Sequence, residues 1–441
     1  MDGLKPPYLV LSNHLAFMDF YVTPMALFPF RANYVSEIES FRAFGEWICR
    51  QVGCLGTRKF VNDLALPRNI KRIMEQKGII VLYPEARYAN VGTNSHLPES
   101  LGKLVKMLKV PVVTINMKGN YLQSPIWNVK RRKGVFLEAD IEQLYTREEL
   151  INSPLNEVCE KIQTALTYDE YARQYEKKIE IRDTWRAEGL ELVLYQCPHC
   201  LTEFQIVTKG AELSCLYCQS QWFLTVHGRL KLISNPSFTT SADIKTTEEK
   251  TDQTNKNTDR FAAIAHTQEW HIPDWYEWER EQIIQKIEKN EYILTTKVRI
   301  ESLPNAKNSI NLGEGYLRHD ANGFELTFSD SDETNLSLIK DPALKEYFYK
   351  KPSAIHSGSF IKKKTLSFPP ASMTSIHTEY NYLRKGQCVT LSTLDNTYFL
   401  YPLLPPADSR PEEAFNATKI QFATEYLYEQ LKKNNQPSTQ R

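Results

Sequence analysis

The segment SNHLAFMD, residues 12–19, decides how the first part of the chain is interpreted. It follows an apolar run at residues 8–11 that is typical of a buried strand. Within it His14 and Asp19 stand five positions apart. A carboxylate on the turn after a strand can accept from one imidazole nitrogen and leave the other to take a proton. The segment therefore predicts a general base; the alternative is a core histidine beside a helix N-cap.

Three further blocks follow this segment in order. GCLGTR at residues 53–58 has the pattern G-x4-R. YPEAR at residues 83–87 follows an apolar run, and VPVV at residues 110–113 opens another. Together with N-H-x4-D at residues 13–19, this ordered set resembles the glycerolipid acyltransferases, specifically the 1-acylglycerol-3-phosphate (lysophosphatidate) acyltransferase family, over about residues 6–140.

The resemblance implies an O-acyltransferase. It would move a fatty acyl group from acyl-CoA or acyl-carrier protein, as co-substrate, to the hydroxyl of a lysophospholipid-like acceptor. His14 would be the base and Asp19 its orienting carboxylate. Arg58 would bind the acceptor phosphate. The full set of substrate-binding residues that the resemblance implies is Asn13, Gly53, Arg58, Pro84, Glu85 and Arg87.

One block departs from the family pattern. Where the family has Gly-Thr-Arg after the glutamate, this chain has Ala86, Arg87 and Tyr88, so the arginine stands one place early. The departure predicts a divergent subfamily whose acceptor differs from lysophosphatidate. Two bland alternatives remain open: Arg58 is a surface arginine, and Glu85 pairs with Arg87.

The distribution of charge suggests an anionic partner. The formal net charge is only +1, but residues 101–133 contain eight Lys or Arg and no Asp or Glu. Nucleic acid, anionic lipid headgroups and an acidic carrier protein all fit such a block. The resemblance favours the last two, and no nucleic acid is expected.

Membrane association is expected to be peripheral. No apolar run reaches the roughly 18 residues needed to span a bilayer, so the sequence predicts a cytoplasmic protein on the inner face of the cell membrane. The apolar, aromatic stretch at residues 17–30 is either core, or an acyl-chain channel or face in the lipid interface.

A metal pattern lies further along the chain. C-x2-C-x14-C-x2-C places Cys197, Cys200, Cys215 and Cys218 on two tight turns. Four thiolates close a tetrahedral site, so the pattern predicts structural Zn²⁺ in a zinc ribbon. The other cysteines are scattered, as in a reducing compartment.

The chain of 441 residues is long enough for two or three domains. Alternating strand and helix patterns predict an α/β acyltransferase domain with a mixed buried sheet over residues 1–187. A zinc ribbon (188–233), a flexible linker (234–262) and a Trp-rich helix (263–290) follow. Residues 291–441 are predicted to form a β meander or barrel closed by a terminal helix, like the pleckstrin-homology superfold.

The strands predicted for the first domain cover residues 8–11, 79–82, 110–115 and 135–137. A different class of function also fits this organisation. The chain would then be a non-catalytic scaffold that binds a membrane or a protein, although such a scaffold has no need of His14 and Asp19.

Overall fold

The computed structural model describes residues 4–61, 63–95, 97–128, 130–235, 268–304, 309–329, 363–381, 385–404, 409–410 and 412–434. The chain forms two compact units. Unit 1 comprises residues 1–32 and 71–282, and unit 2 comprises residues 33–70 and 283–441. The division into five segments drawn from the sequence stays a prediction. The predicted linker, apart from residues 234–235, lies outside the described residues.

The secondary-structure elements are numbered in chain order. The strands are β1 (Tyr8–Ser12), β2 (Asn33–Glu37), β3 (Cys54–Thr57), β4 (Ile79–Leu82), β5 (Val112–Lys118), β6 (Glu138–Tyr145), β7 (Ile206–Lys209), β8 (Glu212–Cys215), β9 (Gln221–Leu224), β10 (Arg229–Ser234), β11 (Glu269–His271), β12 (Leu294–Leu303), β13 (Ile310–Asp320), β14 (Gly323–Ser329), β15 (Lys363–Phe368), β16 (His377–Glu379), β17 (Cys388–Ser392) and β18 (Thr397–Pro402). The α-helices are α1 (Asp19–Leu27), α2 (Ile38–Phe44), α3 (Glu46–Gln51), α4 (Ala65–Glu75), α5 (Glu99–Leu108), α6 (Asn120–Gln123), α7 (Arg147–Asn152), α8 (Leu155–Ala165), α9 (Glu170–Glu176), α10 (Ile272–Glu288) and α11 (Ala417–Asn434).

A mixed sheet forms the centre of unit 1. Strand β1 pairs in parallel with β4 on one side and with β5 on the other, with Leu9 opposite Ile80 and Val112. Strand β6 pairs antiparallel with β5. Every residue of β1 is buried, as expected for a strand covered on both faces. The predicted α/β class with a mixed buried sheet is therefore confirmed for this unit.

One predicted strand was wrong. Residues 135–137 were expected to form a strand, but the strand that pairs with β5 is β6. Most β6 residues are half-buried or exposed, and only Leu144 and Tyr145 are buried. A strand at the edge of a sheet does not need an apolar run. The apolar residues 135–137, in the loop before β6, therefore gave a strand pattern that β6 itself lacks.

The four-cysteine region is a second sheet of unit 1. Strands β7 to β11 form an antiparallel sheet in the order β11-β10-β9-β8-β7. Trp270 and Trp275 are fully buried in this region; the ring of Trp275 lies 5.0 Å from that of Trp222, and its indole nitrogen donates to the carbonyl of Gln196 at 3.0 Å. Buried Glu279 accepts from the backbone N–H of Gln196 at 2.7 Å. The start of α10 thus packs against the region that carries the four cysteines.

Unit 2 carries the C-terminal strands. They form an antiparallel sheet in the order β15-β14-β13-β12-β18-β17-β16. The side chains of β12 alternate between buried and exposed along its first half, as expected where one face is covered. Helix α11 buries most of its first half. The meander and its terminal helix are present, but the described residues do not confirm a closed pleckstrin-homology-like barrel. Unit 2 also contains the parallel pair β2–β3.

Candidate active site

Polar side chains gather where the parallel strands of unit 1 end. Strands β4, β1 and β5 are neighbours and run in the same direction, so their carboxyl ends share one edge of the sheet. His14 and Asp19 follow β1, Glu85 follows β4 and Asn120 follows β5. This edge is where open α/β sheets place their ligand sites.

His14 and Asp19 form the predicted pair. The imidazole Nδ1 of His14 lies 3.0 Å from Oδ2 of Asp19, and both residues are buried. A carboxylate can only accept, so Nδ1 carries the proton that joins them, which leaves Nε2 as the basic nitrogen. Among the described residues, no hydrogen bond engages that nitrogen. The pair is therefore arranged as a base with its orienting carboxylate.

Asp19 is fully enclosed by donors. Its Oδ2 also accepts from the backbone N–H groups of Leu15 and Ala16, at 2.7 and 3.2 Å. Its Oδ1 accepts from the side-chain amide of Asn120 at 2.7 Å. As the first residue of α1, Asp19 also lies at the positive end of that helix. Both oxygens of the carboxylate therefore have hydrogen-bond donors.

Aromatic rings surround the imidazole. The ring of Tyr83 stacks on His14 with centroids 4.4 Å apart, and the ring of Tyr88 lies at the same distance but tilted. Phe20 contacts His14 edge-on at 6.2 Å. The hydroxyls of Tyr83 and Thr23 are 2.8 Å apart. The rings hold the imidazole in one plane and exclude water from its faces.

The Glu85 carboxylate accepts hydrogen bonds from the backbone of this site. Its Oε1 accepts from the backbone N–H of His14 at 3.3 Å, and its Oε2 accepts from that of Ser95 at 2.8 Å. The hydroxyl of Tyr168 lies 3.2 Å from both oxygens. Burial raises the pKa of Glu85 to about 7, although these hydrogen bonds and the charge of Arg87 lower it. Glu85 therefore titrates near neutral pH.

The turn after Glu85 has a backbone conformation that favours glycine, although the chain has alanine there. Ala86 adopts a left-handed backbone conformation, with φ at 56°, where the family has glycine. Arg87 is buried, and its Nε donates to the hydroxyl of Ser95 at 3.1 Å. Pro84, half-buried, precedes Glu85 in this turn. The alternative in which Glu85 pairs with Arg87 stays a prediction; the two residues share Ser95 as a hydrogen-bond partner.

Asn13 has a structural partner on strand β5. Its amide nitrogen donates to the carbonyl of Met117 at 2.9 Å, and its oxygen accepts from the N–H of the same residue at 2.9 Å. The side chain therefore joins the end of β1 to the end of β5. Its predicted role in binding substrate stays a prediction.

The other predicted acceptor residues, Gly53 and Arg58, belong to unit 2. The guanidinium of Arg58 is buried there. Nη1 donates to the carbonyl of Leu303 and the hydroxyl of Thr397 at 3.2 and 2.6 Å, and Nη2 donates to the carbonyls of Pro304 and Asp395 at 3.1 Å each. Burial lowers the pKa of Arg58. Its phosphate-binding role stays a prediction, and both terminal nitrogens already have protein partners.

The four predicted metal ligands come together. The sulfur atoms of Cys197, Cys200, Cys215 and Cys218 all lie within 4.8 Å of one another. The pairs Cys197–Cys218 and Cys200–Cys215 are each 3.7 Å apart. Zinc–sulfur bonds of about 2.3 Å in a tetrahedron would separate the sulfurs by roughly 3.8 Å. The cluster therefore fits a tetrahedral ion.

Helix α1 turns two polar residues, Asp19 and Thr23, toward the interior and exposes several large apolar residues. The buried side is Asp19, Thr23 and Leu27. Met25 is 78% exposed and Phe28 83% exposed. The large apolar residues that this segment exposes are Phe17, Tyr21, Met25, Phe28 and Phe30. Contiguous exposed apolar surface commonly marks an interaction site.

Asn120 and Tyr168 were missed at the sequence level. Asn120 follows the predicted strand at residues 110–115 by five positions, which is a weak signal because the strand order was not known. Tyr168 precedes α9 and gives no local signal of a role at the end of β4. Both reach the site only because of the tertiary fold.

Comparison with known proteins gives a likeness at the level of structure. No family model matches the chain, and no curated protein matches it. Among solved structures it is similar to the crystal structure of the 1-acyl-sn-glycerophosphate (LPA) acyltransferase, PlsC, from Thermotoga maritima, with a TM-score of 0.29 and 15% identity. The match covers 36% of this chain and 64% of that chain, which is less than two thirds of its length. This weak likeness is to an acyltransferase and adds no evidence about mechanism.

A search of the described residues for bilayer-crossing helices found none with the required length and apolar character.

Proposed function

We propose that this protein is an O-acyltransferase. It transfers a fatty acyl group from acyl-CoA or acyl-carrier protein to the hydroxyl of a lysophospholipid-like acceptor. The observation that carries the proposal is the hydrogen bond between His14 and Asp19 at the carboxyl edge of the parallel strands. The ordered sequence blocks that resemble the lysophosphatidate acyltransferases support the choice of reaction.

The chemistry follows from the geometry of that pair. Nε2 of His14 takes the proton from the acceptor hydroxyl, and the oxygen attacks the carbonyl carbon of the acyl thioester. The tetrahedral intermediate collapses with cleavage of the carbon–sulfur bond. The departing thiolate then takes the proton from the imidazolium. Asp19 stabilises the transient imidazolium through Nδ1.

Glu85 supports this step without reacting. Its Oε1 fixes the backbone N–H of the residue that bears the base, and Ser95 and Tyr168 fix the carboxylate in turn. The base is therefore held from two directions, by Asp19 through its ring and by Glu85 through its backbone. Such preorganisation is what positions a base against a bound hydroxyl.

A lipid acceptor fits the exposed face of α1. The apolar residues at 17, 21, 25 and 28 recur every three or four positions on the side opposite Asp19 and Thr23. Because this face belongs to the same segment as the base, its insertion into a lipid interface would bring a lysolipid hydroxyl near the site. On this proposal the protein works as a peripheral protein at the inner, anionic membrane surface.

The four cysteines are proposed to bind one structural Zn²⁺. Four protein ligands would leave no open position, so the ion would stabilise the sheet of β7 to β11 and take no part in acyl transfer. The matching sulfur separations support this proposal.

The test is acyl transfer by purified protein. Labelled acyl-CoA or acyl-carrier protein would be offered with lysophosphatidate, other lysolipids and monoacylglycerol. His14→Ala would be compared with His227→Ala, a half-buried histidine in the turn between β9 and β10. We expect the first variant to lose at least 100-fold in kcat and the second to match the wild type.

Two outcomes would contradict the proposal. Transfer that survives in His14→Ala would remove His14 as the base. Absence of transfer to every acceptor with both donors would favour the non-catalytic scaffold.

A further inference from the structure

Asp19 receives a donor from a distant part of the chain. Three of its donors come from its own segment and bind Oδ2: His14, Leu15 and Ala16. The fourth is the amide of Asn120, 101 positions away, which binds Oδ1 at 2.7 Å. Without Asn120, no described residue would donate to that oxygen, and Asp19 is fully buried. A buried carboxylate oxygen without a donor is unfavourable.

The position of Asn120 is itself fixed. It begins α6, directly after Gly119, whose φ is 86°. A Cβ at residue 119 would lie 2.2 Å from the carbonyl oxygen of Phe136, so only glycine fits. The N–H of Gly119 donates to the buried carboxylate of Glu170 at 2.6 Å. The backbone that presents the amide therefore has little freedom.

The amide can face Asp19 in only one orientation. A carboxylate only accepts, so the group turned toward it must be the NH₂ of Asn120. The amide oxygen then points elsewhere, and among the described residues it has no hydrogen-bond partner. An amide cannot take up or release a proton near neutral pH, so this donor is permanent.

We propose that Asn120 is a positioning residue for the base: it holds Asp19 ionised and in plane, so that His14 keeps its proton on Nδ1 and its lone pair on Nε2. The inference rests on the proposed function for its kinetic consequences, while the hydrogen bond itself does not depend on it. Asn120 does not touch the reacting atoms and acts only through Asp19.

The kinetic experiment compares Asn120→Ala, Asn120→Asp and a control, Asn116→Ala. Asn116 also lies on this segment, and its amide donates to the carbonyl of Ala165 at 2.6 Å. We expect Asn120→Ala to lower kcat about 10- to 100-fold, as for a lost bond to a charged group, with KM changed less than about twofold. Asn116→Ala should retain wild-type kinetics.

The aspartate variant gives a distinctive pH profile. A protonated carboxyl at position 120 can donate to Asp19 as the amide does, whereas an ionised one cannot. Two carboxylates this close resist ionising together. The other titratable or charged side chains around the pair are Tyr83, Glu85, Arg87, Tyr88, Tyr168 and Glu170; all remain in the variant. We expect kcat of Asn120→Asp, relative to that of the wild type at the same pH, to fall at least tenfold as pH rises across neutrality.

A measurement that does not depend on turnover tests the role of Asn120 separately from the proposed acyltransferase function. With ¹³C-labelled histidine, the His14 signal can be assigned by its loss in His14→Gln. Asn120→Asp should add a second inflection to the His14 titration, and Asn116→Ala should not. An unchanged His14 titration, or an unchanged pH profile, overturns the inference. If the wild type transfers no acyl group, the proposed function fails, and the NMR titration still decides the role of Asn120.

Discussion

The hydroxyl of Tyr168 lies 3.2 Å from both carboxylate oxygens of Glu85. The two residues are 83 positions apart, and Tyr168 lies beyond the region in which the family resemblance was found. Since the same carboxylate accepts from the backbone of His14, the tyrosine influences the base through one intermediate. The helical region after the mixed sheet is therefore part of the site.

We expect Tyr168→Phe to lower kcat about fivefold to tenfold, equivalent to roughly 1–1.4 kcal/mol for one lost hydrogen bond. This bond also lowers the pKa of Glu85, so more of Glu85 should be protonated at neutral pH in the variant. Steady-state kinetics with saturating acceptor would measure the effect. Tyr175→Phe, on the exposed part of α9, is the control and should leave kcat unchanged.

The sequence predicted the part of the site that is local. His14 and Asp19 lie on one turn after one strand, so their pairing depends on few residues. The position of Asn120 at the site depends on β5 lying next to β1, and that of Tyr168 depends on the path of the chain after β6. The spacing of residues along the sequence predicts neither. Arg58 shows the converse: its motif is local, but its partners come from residues 303–304 and 395–397.

Helix α1 shows a second limit of sequence patterns. The apolar, aromatic stretch at residues 17–30 was visible in the sequence and left core, acyl-chain channel and lipid interface as alternatives. The hydrogen bonds of Asp19 and Thr23 decide which side faces inward. Because polar groups that satisfy each other can be buried, a helix can turn its polar stripe toward the core.

The carboxyl of Glu170 should make stability depend on pH. Burial raises its pKa from 4.5 to about 7, so the folded state binds its proton more tightly than the unfolded state. This contribution, about 3 kcal/mol, is fully present below pH 4.5 and is lost as pH rises through 7. We expect Glu170→Gln to match the wild type near pH 5 and to lose less stability by pH 8. Urea unfolding followed by tryptophan fluorescence would measure it.

The control for this prediction is Glu148→Gln, an exposed carboxyl in the first turn of α7. It should leave the pH dependence unchanged. A Glu170→Gln protein whose unfolding free energy declines with pH as steeply as that of the wild type would show that Glu170 is already ionised when folded.

Arg58 either stabilises unit 2 or binds the acceptor phosphate, and the two roles predict different effects of substitution. If Arg58 stabilises unit 2 through its four hydrogen bonds, Arg58→Gln should lower the free energy of unfolding by about 2–4 kcal/mol. In that case Arg58→Gln should lower transfer to lysophosphatidate and to monoacylglycerol by the same factor. Arg68→Gln, an exposed arginine on α4, is the control. A rise in KM for lysophosphatidate alone, without loss of stability, would instead assign Arg58 to the acceptor phosphate.

Removal of the proposed zinc should loosen the sheet that holds it. We expect one Zn²⁺ per chain by elemental analysis, and less than about a tenth of that in Cys218→Ser. Chelation should expose Trp222, Trp270 and Trp275, which are buried and contact one another in the region of this sheet, and shift their fluorescence to longer wavelength. Cys159→Ser, on α8, should keep the metal. Full zinc content in Cys218→Ser would exclude the four-cysteine site.

The exposed face of α1 should bind lipid. Each of Met25 and Phe28 places most of its side chain in water, and burying such a group in a lipid interface is worth about 1.5–3 kcal/mol. The double variant Met25→Ser, Phe28→Ser should therefore lose at least tenfold in binding to vesicles of phosphatidylglycerol and phosphatidylethanolamine, measured by flotation. Phe136→Ser is the matched control, because Phe136 is 84% exposed but lies outside this segment. Equal flotation of both variants would show that α1 does not direct binding. If His14-dependent transfer to short-chain, monomeric acceptors persists in the double variant, membrane docking and catalysis are separable functions of the segment that carries the base.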